Sequence, residues 1–513
     1  MTSKANGSPD AGLRSRNHYQ TILPKWRYSI RQAILPLIRY ETPYLAWMQE
    51  KLRSPALDTY FAIAANLGTH TFFTIFLPIF YWCGHPPFGR GILHVLASGV
   101  FFSGFVKDLL CLPRPLSPPL QRITMSGSAA LEYGFPSTHS TNAVSVTIFA
   151  LAQLQSPDNT LSPVAKAALQ IFLYIYVLSI VLGRLYCGMH GFLDVIVGSA
   201  MGAVIAWLQL HFGPALATYV VTGTFKEVAV IALITLALVR IHPEPADDCP
   251  CYDDSVAFSG VFLGAQIGTW LAPLSAPAWT DHDAEVFIPY DLESLGWFKT
   301  IVRLVIGILA IFVWREIAKP LLLRALPPVF RVLGKAGLLL PRRFFRQAFE
   351  YKTVPGHLED DNVLPSFSDI PNIITSIRHP RRRAVSVGPQ SEADAYETLA
   401  YREQRRRDST LDSSRTSGRR PLMPGRAVPQ VEKYEHMMGT GSPEPSSPDP
   451  SRRKDAPGDE MTGASEEDMF ARINKPRVRY DVEVVTKLIV YSGIAILVLD
   501  VMPFVYERIG LAP

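Results

Sequence analysis

The chain has 513 residues, 48% of them hydrophobic and 19% charged, with 50 basic side chains against 45 acidic ones for a formal net charge of +5. So small an excess over this length excludes an electrostatic nucleic-acid binder, and five scattered cysteines exclude a disulfide scaffold. Apolar runs and one long polar tract are segregated, so the segments carry more information than the averages.

The first 28 residues are polar and basic, with no apolar core of the kind a cleavable signal peptide needs. Targeting is therefore expected from the first membrane span. Gln32 to Leu52 mixes apolar and charged residues at helical spacing and predicts an interfacial helix. A spanning helix needs roughly 20 mostly apolar residues. Asp58 to Trp82, Gly91 to Leu112, Val164 to Leu185, His190 to Phe212, Ser255 to Leu274 and Leu488 to Val505 fit that requirement. Ser140 to Gln155 is shorter but follows a helix-start signal. Val228 to Val239 and Leu304 to Trp314 are weak candidates, each bordered by basic residues whose long stems can reach the interface. Leu326 to Phe349 predicts a second, strongly basic interfacial helix. Cys249-Pro-Cys251 reads as two unlinked loop thiols, and no Cys/His spacing resembles a zinc site.

From 354 to 479 the chain is rich in Pro, Ser, Asp, Glu and Arg, and too poor in apolar residues to offset its ordering entropy. It is expected to be a disordered insertion. Arg381-Arg-Arg-Ala-Val-Ser386 and Arg405-Arg-Arg-Asp-Ser409 resemble sites of basic-directed kinases, and Ser442-Pro and Ser447-Pro those of proline-directed ones. The predicted fold class is all-α, a polytopic membrane helix bundle with a disordered polar insertion before the last membrane helix. Its divisions are a polar and amphipathic region (1–57), a catalytic helix-bundle core (58–213), further membrane helices with a basic interfacial helix (214–353), the insertion (354–479) and a C-terminal membrane helix (480–513).

Three polar clusters interrupt the apolar core: Lys107 to Pro115, Pro136 to His139, and Gly183-Arg184 with His190 and Asp194. Charges beside lipid are costly unless paired or functional. His190 and Asp194 are four residues apart and share one helix face. A carboxylate on one imidazole nitrogen frees the other for attack, the orienting logic of a catalytic triad. Arg114 and Arg184 offer planar forks of donors suited to phosphate oxygens, and Lys107 a point charge. Proline on both sides of Arg114 stiffens its presentation. Ser137, Thr138 and Ser140 are helix-capping types, and a helix N-terminus is a ready phosphate site. His139 there can protonate a leaving oxygen. Each cluster alone has an ordinary explanation: basic residues flank spans, serines cap helices and i,i+4 polar pairs are common. Together they make a phosphate cradle with a nucleophile and an acid, and no metal or cofactor is called for.

At these residues the chain resembles the type 2 phosphatidic acid phosphatase superfamily, whose pattern is Lys-x6-Arg-Pro, then Pro-Ser-Gly-His, then Ser-Arg-x5-His-x3-Asp. Lys107, Arg114 and Pro115 match the first element, Pro136, Ser137 and His139 the second, and Arg184, His190 and Asp194 the third. Thr138 stands where the family has glycine, and Gly183 where it has serine. The flanking residues, Lys107 to Pro119, Glu132 to His139 and Tyr186 to Asp194, resemble the fungal sphingoid-base-phosphate phosphatases. The resemblance implies His190 as nucleophile, Asp194 as its orienting group, His139 as general acid and base, and a phosphate held by Lys107, Arg114, Ser137, Thr138 and Arg184. It also implies an endoplasmic reticulum enzyme with a lumenal active site, acting on dihydrosphingosine-, phytosphingosine- or sphingosine-type 1-phosphates among membrane lipids.

Phosphatidic acid or diacylglycerol pyrophosphate is the alternative substrate, and a non-catalytic lipid-phosphate carrier or scaffold the alternative class. A carrier needs cations but no positioned nucleophile. If all candidate spans cross, the first cluster and Arg324 to Arg346 face the same side. Positive charge favours the cytosol there, whereas the resemblance implies the lumen. One weak span is therefore expected not to cross.

Overall fold

The computed structural model describes residues 11–12, 16–67, 70–116, 120–123, 132–157, 159–247, 249–275, 288, 290–337, 342, 345–354 and 479–513. The polar tract from 355 to 478, with the kinase-like motifs, lies outside the described residues. The helices in chain order are α1 (Arg16–Ile22), α2 (Lys25–Leu52), α3 (Pro55–Asn66), α4 (His70–Trp82), α5 (Pro86–Leu110), α6 (Thr138–Leu154), α7 (Pro163–Tyr186), α8 (Phe192–Val221), α9 (Phe225–Ile241), α10 (Cys251–Ser275) and α11 (Leu292–Lys335). After the polar tract come α12 (Val482–Ile496), a π-helical turn (Leu497–Val501) and α13 (Met502–Arg508). The described strands are a single short parallel pair, β1 (Phe345–Arg346) with β2 (Arg479–Tyr480). The described residues are all-α apart from that pair.

Five helices among the described residues are long and apolar enough to cross a membrane: Pro86–Leu110, Pro163–Tyr186, Phe192–Val221, Cys251–Ser275 and the continuous Val482–Arg508. The protein is a multi-pass membrane protein. The expected span from Asp58 to Trp82 forms as two helices, α3 and α4. The two weak candidates are helical, as α9 and as the middle of the 44-residue α11, which bends at Gly296 (φ 69°). α11 also absorbs much of the expected second interfacial helix.

Local chemistry explains the helix starts. Pro86 and Pro87 open α5 and Pro163 opens α7, where the missing amide costs no hydrogen bond. Ser137, Ser162 and Asp291 cap α6, α7 and α11 by accepting from first-turn amides. Thr224 and Glu227 form a reciprocal capping box on α9.

α5 and α10 are the most buried helices and form the centre with α12; α6 fills the space between α5, α7 and α8. α6 and α8 approach closely because Gly198 faces the Ser137 carbonyl, where a methyl group would meet the oxygen at 2.6 Å. α7 is peripheral, with Ile171, Phe172, Ile175, Leu178 and Leu182 exposed, the surface expected of a lipid-facing helix.

α2 does more than lie on a surface. Arg27 donates to the carbonyls of Asp108 and Leu109, and Arg31 to that of Cys111, so two buried guanidiniums close the C-terminal end of α5. Arg27 also donates to the carbonyl of Glu244, and Arg342 to the carbonyls of Val239, Arg240 and His242. Arg479 donates to the Cys249 carbonyl and pairs with Asp253 at 3.4 Å. These contacts put the end of α5, the basic stretch around Arg342 and both flanks of the 355–478 tract on one face. α9 and α11 both return the chain to the face that carries Lys107, although neither is among the five helices long and apolar enough to cross a membrane. Cys249 and Cys251, read from sequence as unlinked thiols, are joined to each other.

Candidate active site

Four helix ends converge on that face: the C-terminal ends of α5 and α7 and the N-terminal ends of α6 and α8. α5 delivers Lys107 in its last turn and ends at Cys111 in a left-handed conformation (φ 52°, ψ 39°). That reversal sends Leu112 to Pro115 back across the site. α7 delivers Arg184 in its last turn, and the Arg184 carbonyl accepts from the amides of Met189 and His190. The loop between them thus folds back onto its own helix. The Ser137 amide donates to the Asp194 carbonyl at 3.0 Å, locking the start of α6 to the start of α8.

All the residues predicted from the three clusters are brought together here. Lys107, Arg114 and Arg184 are each about 5% exposed or less, and His190 is 2% exposed. His139 sits on the first turn of α6, half-buried, close enough for its charge to act on His190.

The imidazole of His190 is held from both sides. Its Nδ1 lies 2.9 Å from the carbonyl of Gly134, which can only accept, so Nδ1 carries the proton. Nε2 is left with its lone pair and receives Arg114 Nη1 at 3.2 Å. Asp194, predicted as the orienting group, has Oδ2 3.6 Å from Nδ1 and accepts the Gly191 amide at 2.8 Å. Its carboxylate caps α8 and stands beside the imidazole, while the direct hydrogen bond comes from the Gly134 backbone. Burial holds His190 well below the ordinary imidazole range, and Arg114, Lys107, Arg184 and His139 push the same way. The ring is neutral at physiological pH, the form a nucleophile needs.

The cations already face an acid. Glu132 Oε2 lies 3.1 Å from Arg114 Nη2 and 3.5 Å from Lys107 Nζ. Arg114 Nη1 also donates to the Met189 carbonyl at 2.9 Å. The Nε of Arg184 is buried and has no hydrogen-bond partner among the described residues. A buried donor without a partner is costly, and an anion at this place would satisfy it.

Ser137 and Thr138 turn their hydroxyls elsewhere. Ser137 Oγ accepts from the Ser140 amide, and Thr138 Oγ1 pairs with Ser103 on α5 at 2.9 Å. Their offering to an anion is the set of first-turn amides of α6 and its dipole. The glycine at 183 has a packing reason, since a methyl group there would meet Phe61 of α3 at 2.9 Å.

Sequence reasoning missed several supporting residues. Gly134 lies so near the Pro113–Arg114 backbone that a Cβ would meet the Pro113 carbonyl oxygen at 2.7 Å and the Arg114 Cα at 2.8 Å. Glu41 of α2 accepts the Leu193 amide at 2.9 Å, a second acid at the start of α8, and burial raises its pKa. Gln49 donates to the carbonyls of Tyr186 and Gln121, stitching the two site loops together. Glu132 and Gly134 do lie within a quoted motif stretch, but only the fold shows what they touch.

Neutral imidazole, buried cations and helix N-termini make a site whose chemistry suits a phosphate ester. The model of the PAP2 superfamily matches residues 89–217. A dihydrosphingosine 1-phosphate phosphatase of Schizosaccharomyces pombe is 38% identical over 63% of this chain and 77% of its own length. One of Saccharomyces cerevisiae is 32% identical over 60% and 74%, and the human sphingosine-1-phosphate phosphatase 2 is 25% identical over 54% and 68%. No solved structure matches the chain. The chain belongs to the PAP2 superfamily and, within it, to the fungal sphingoid-base-phosphate phosphatase branch.

Proposed function

We propose that this protein is a lipid phosphate monoester phosphohydrolase that converts sphingoid base 1-phosphates into the free long-chain base and phosphate. The observation that carries the reading is His190, its Nδ1 proton held by the Gly134 carbonyl and its Nε2 turned to Arg114 among buried cations. The names of its relatives support the substrate class.

The phosphate enters between Lys107, Arg114, Arg184 and the first-turn amides of α6, taking the guanidinium donors that Glu132 and His190 hold in the free protein. Nε2 of His190 attacks phosphorus. A P–N bond forms, the P–O bond to the lipid breaks, and His139 gives its proton to the leaving alkoxide. A water then attacks the phospho-histidine, His139 takes the water's proton, the P–N bond breaks and phosphate departs. The fixed cations stabilise charge on the equatorial oxygens throughout. Uncatalysed phosphate monoester hydrolysis is so slow that a barrier reduction on the order of 20 kcal/mol is required. Splitting the reaction at a covalent intermediate and prepaying the electrostatics both contribute. Because side chains provide the positive charge, the scheme uses no metal or cofactor.

The proposal includes the endoplasmic reticulum membrane as its location and a lumenal catalytic face, as the family resemblance implies. The basic residues on that face weigh less against this than their number implies. Arg27, Arg31, Arg331 and Arg342 are committed to backbone carbonyls and have structural work on either side of a membrane.

The test is phosphate release by the purified protein. Dihydrosphingosine and phytosphingosine 1-phosphates should be hydrolysed in preference to phosphatidic acid and diacylglycerol pyrophosphate. Orthovanadate should inhibit and chelators should not. His190→Ala should lose activity by at least about a thousandfold while still accumulating in membranes. A preference for phosphatidic acid would remove the substrate assignment, and undiminished activity of His190→Ala would remove the mechanism.

A further inference from the structure

The site contains a group that phosphoryl transfer does not use. Glu132 puts a carboxylate 3.1 Å from Arg114 and 3.5 Å from Lys107, the two cations that would grip phosphate. A carboxylate beside a bound phosphate dianion is repulsive and would weaken binding of any plain phosphate ester. It becomes favourable only if the substrate brings its own positive charge.

We infer that Glu132 is a specificity-determining residue that receives the ammonium group of the sphingoid base. This rests on the substrate class proposed above. In such a substrate the ammonium and the phosphate ester sit on neighbouring carbons, so a group that recognises the first must lie at the rim of the cradle that holds the second. Glu132 is there: its side chain is 24% exposed, whereas Lys107 and Arg114 are 5% and 4% exposed. In the free protein it neutralises the cations. The entering phosphate replaces it on Lys107 and Arg114, and the displaced carboxylate meets the ammonium.

The backbone under Glu132 is fixed. Tyr133 is fully buried, donating to Asp247 Oδ2 at 3.0 Å and accepting the Asp247 amide at 2.9 Å. The carboxyl group of Asp247 also accepts from Tyr19 and from the Gly12 amide. Gly134, on the other side, is wedged against Pro113 and Arg114. Glu132 can therefore turn its side chain but cannot leave the rim. Two cations that share one rim carboxylate suit a phosphate that carries an ammonium beside it.

The experiment compares kcat/KM for dihydrosphingosine 1-phosphate with that for octadecyl phosphate and N-acetyl-dihydrosphingosine 1-phosphate, which lack the positive charge. The full-length protein and Glu132→Gln are measured side by side. Losing a charge-assisted contact of this kind should lower the preference for the amine substrate by roughly tenfold or more, while hydrolysis of the uncharged analogues holds or rises. An unchanged ratio, including parallel loss on all three substrates, would defeat the inference. If Glu132→Gln does not accumulate as folded protein, Glu132→Asp is measured instead. A ratio lowered several-fold supports the assignment, and one equal to wild type defeats it. Failure of the wild-type protein to hydrolyse dihydrosphingosine 1-phosphate would count against the substrate class itself, a separate outcome from an unmoved ratio.

Discussion

At the scale of single residues, reactivity follows from which atoms His190 faces. The proton on Nδ1 is assigned by a carbonyl that can only accept, so Nε2 is the atom left for the attack proposed above. Burial and four neighbouring basic groups depress its pKa, which gives stability a definite pH sign. The unfolded chain takes up a proton below about pH 6.5 while the folded ring stays neutral to lower pH. His190 therefore costs no stability above that value and costs progressively more as pH falls towards its folded pKa. Thermal unfolding from pH 7.5 to 5.5 should destabilise the wild type more than His190→Gln. Equal slopes for the two proteins would contradict a depressed imidazole. Gly134 gives a second residue-scale prediction. A methyl group at 134 meets backbone at 2.7 and 2.8 Å and must push Arg114 or the carbonyl that holds His190. Gly134→Ala should reduce kcat/KM by about tenfold to a hundredfold, since small misplacements of reacting groups are costly; activity at wild-type level would show that the backbone yields without disturbing the site.

At the scale of elements, α2 is the part that the sequence placed least well. Its mixed charge and apolar pattern is that of an interfacial helix, and periodicity cannot reveal that Arg27 and Arg31 point into the protein. They close the end of α5 that carries Lys107, while Glu41 from the same helix caps α8. Arg27→Ala and Arg31→Ala should each lower stability by about 1–3 kcal/mol, because buried carbonyls lose charged donors, read as a lower unfolding temperature in detergent. An unchanged unfolding temperature would mean that α2 contributes little to holding α5. The long central helices were legible from the requirement for about 20 apolar residues. Their exact ends were not, since helix termini depend on caps and tertiary contacts. α4 and α3 illustrate this, reading as one apolar run and forming as two helices.

At the scale of the whole molecule, the consequential feature is that the catalytic helix ends and both flanks of the polar tract share one face. Phe345 and Arg346 pair with Arg479 and Tyr480, and Arg479 reaches Cys249 and Asp253 at the start of α10. Whatever side the active site occupies, the tract begins and ends there. With the catalytic face in the lumen, an asparagine-linked glycosylation acceptor inserted between 355 and 478 should be modified. An acceptor that stays unmodified at several positions, beside a modified control loop on the opposite face, would place the catalytic face in the cytosol.

The amino-acid sequence alone located the long apolar helices, the polar tract and the three polar clusters, because hydropathy and motif spacing are local properties of the chain. It did not determine that a backbone carbonyl rather than Asp194 makes the direct bond to His190, that Glu132 sits between two cations, or that α9 and α11 bring the basic stretch back to the catalytic face. Those facts depend on distances between residues far apart in the chain, and only packing of the helices sets them.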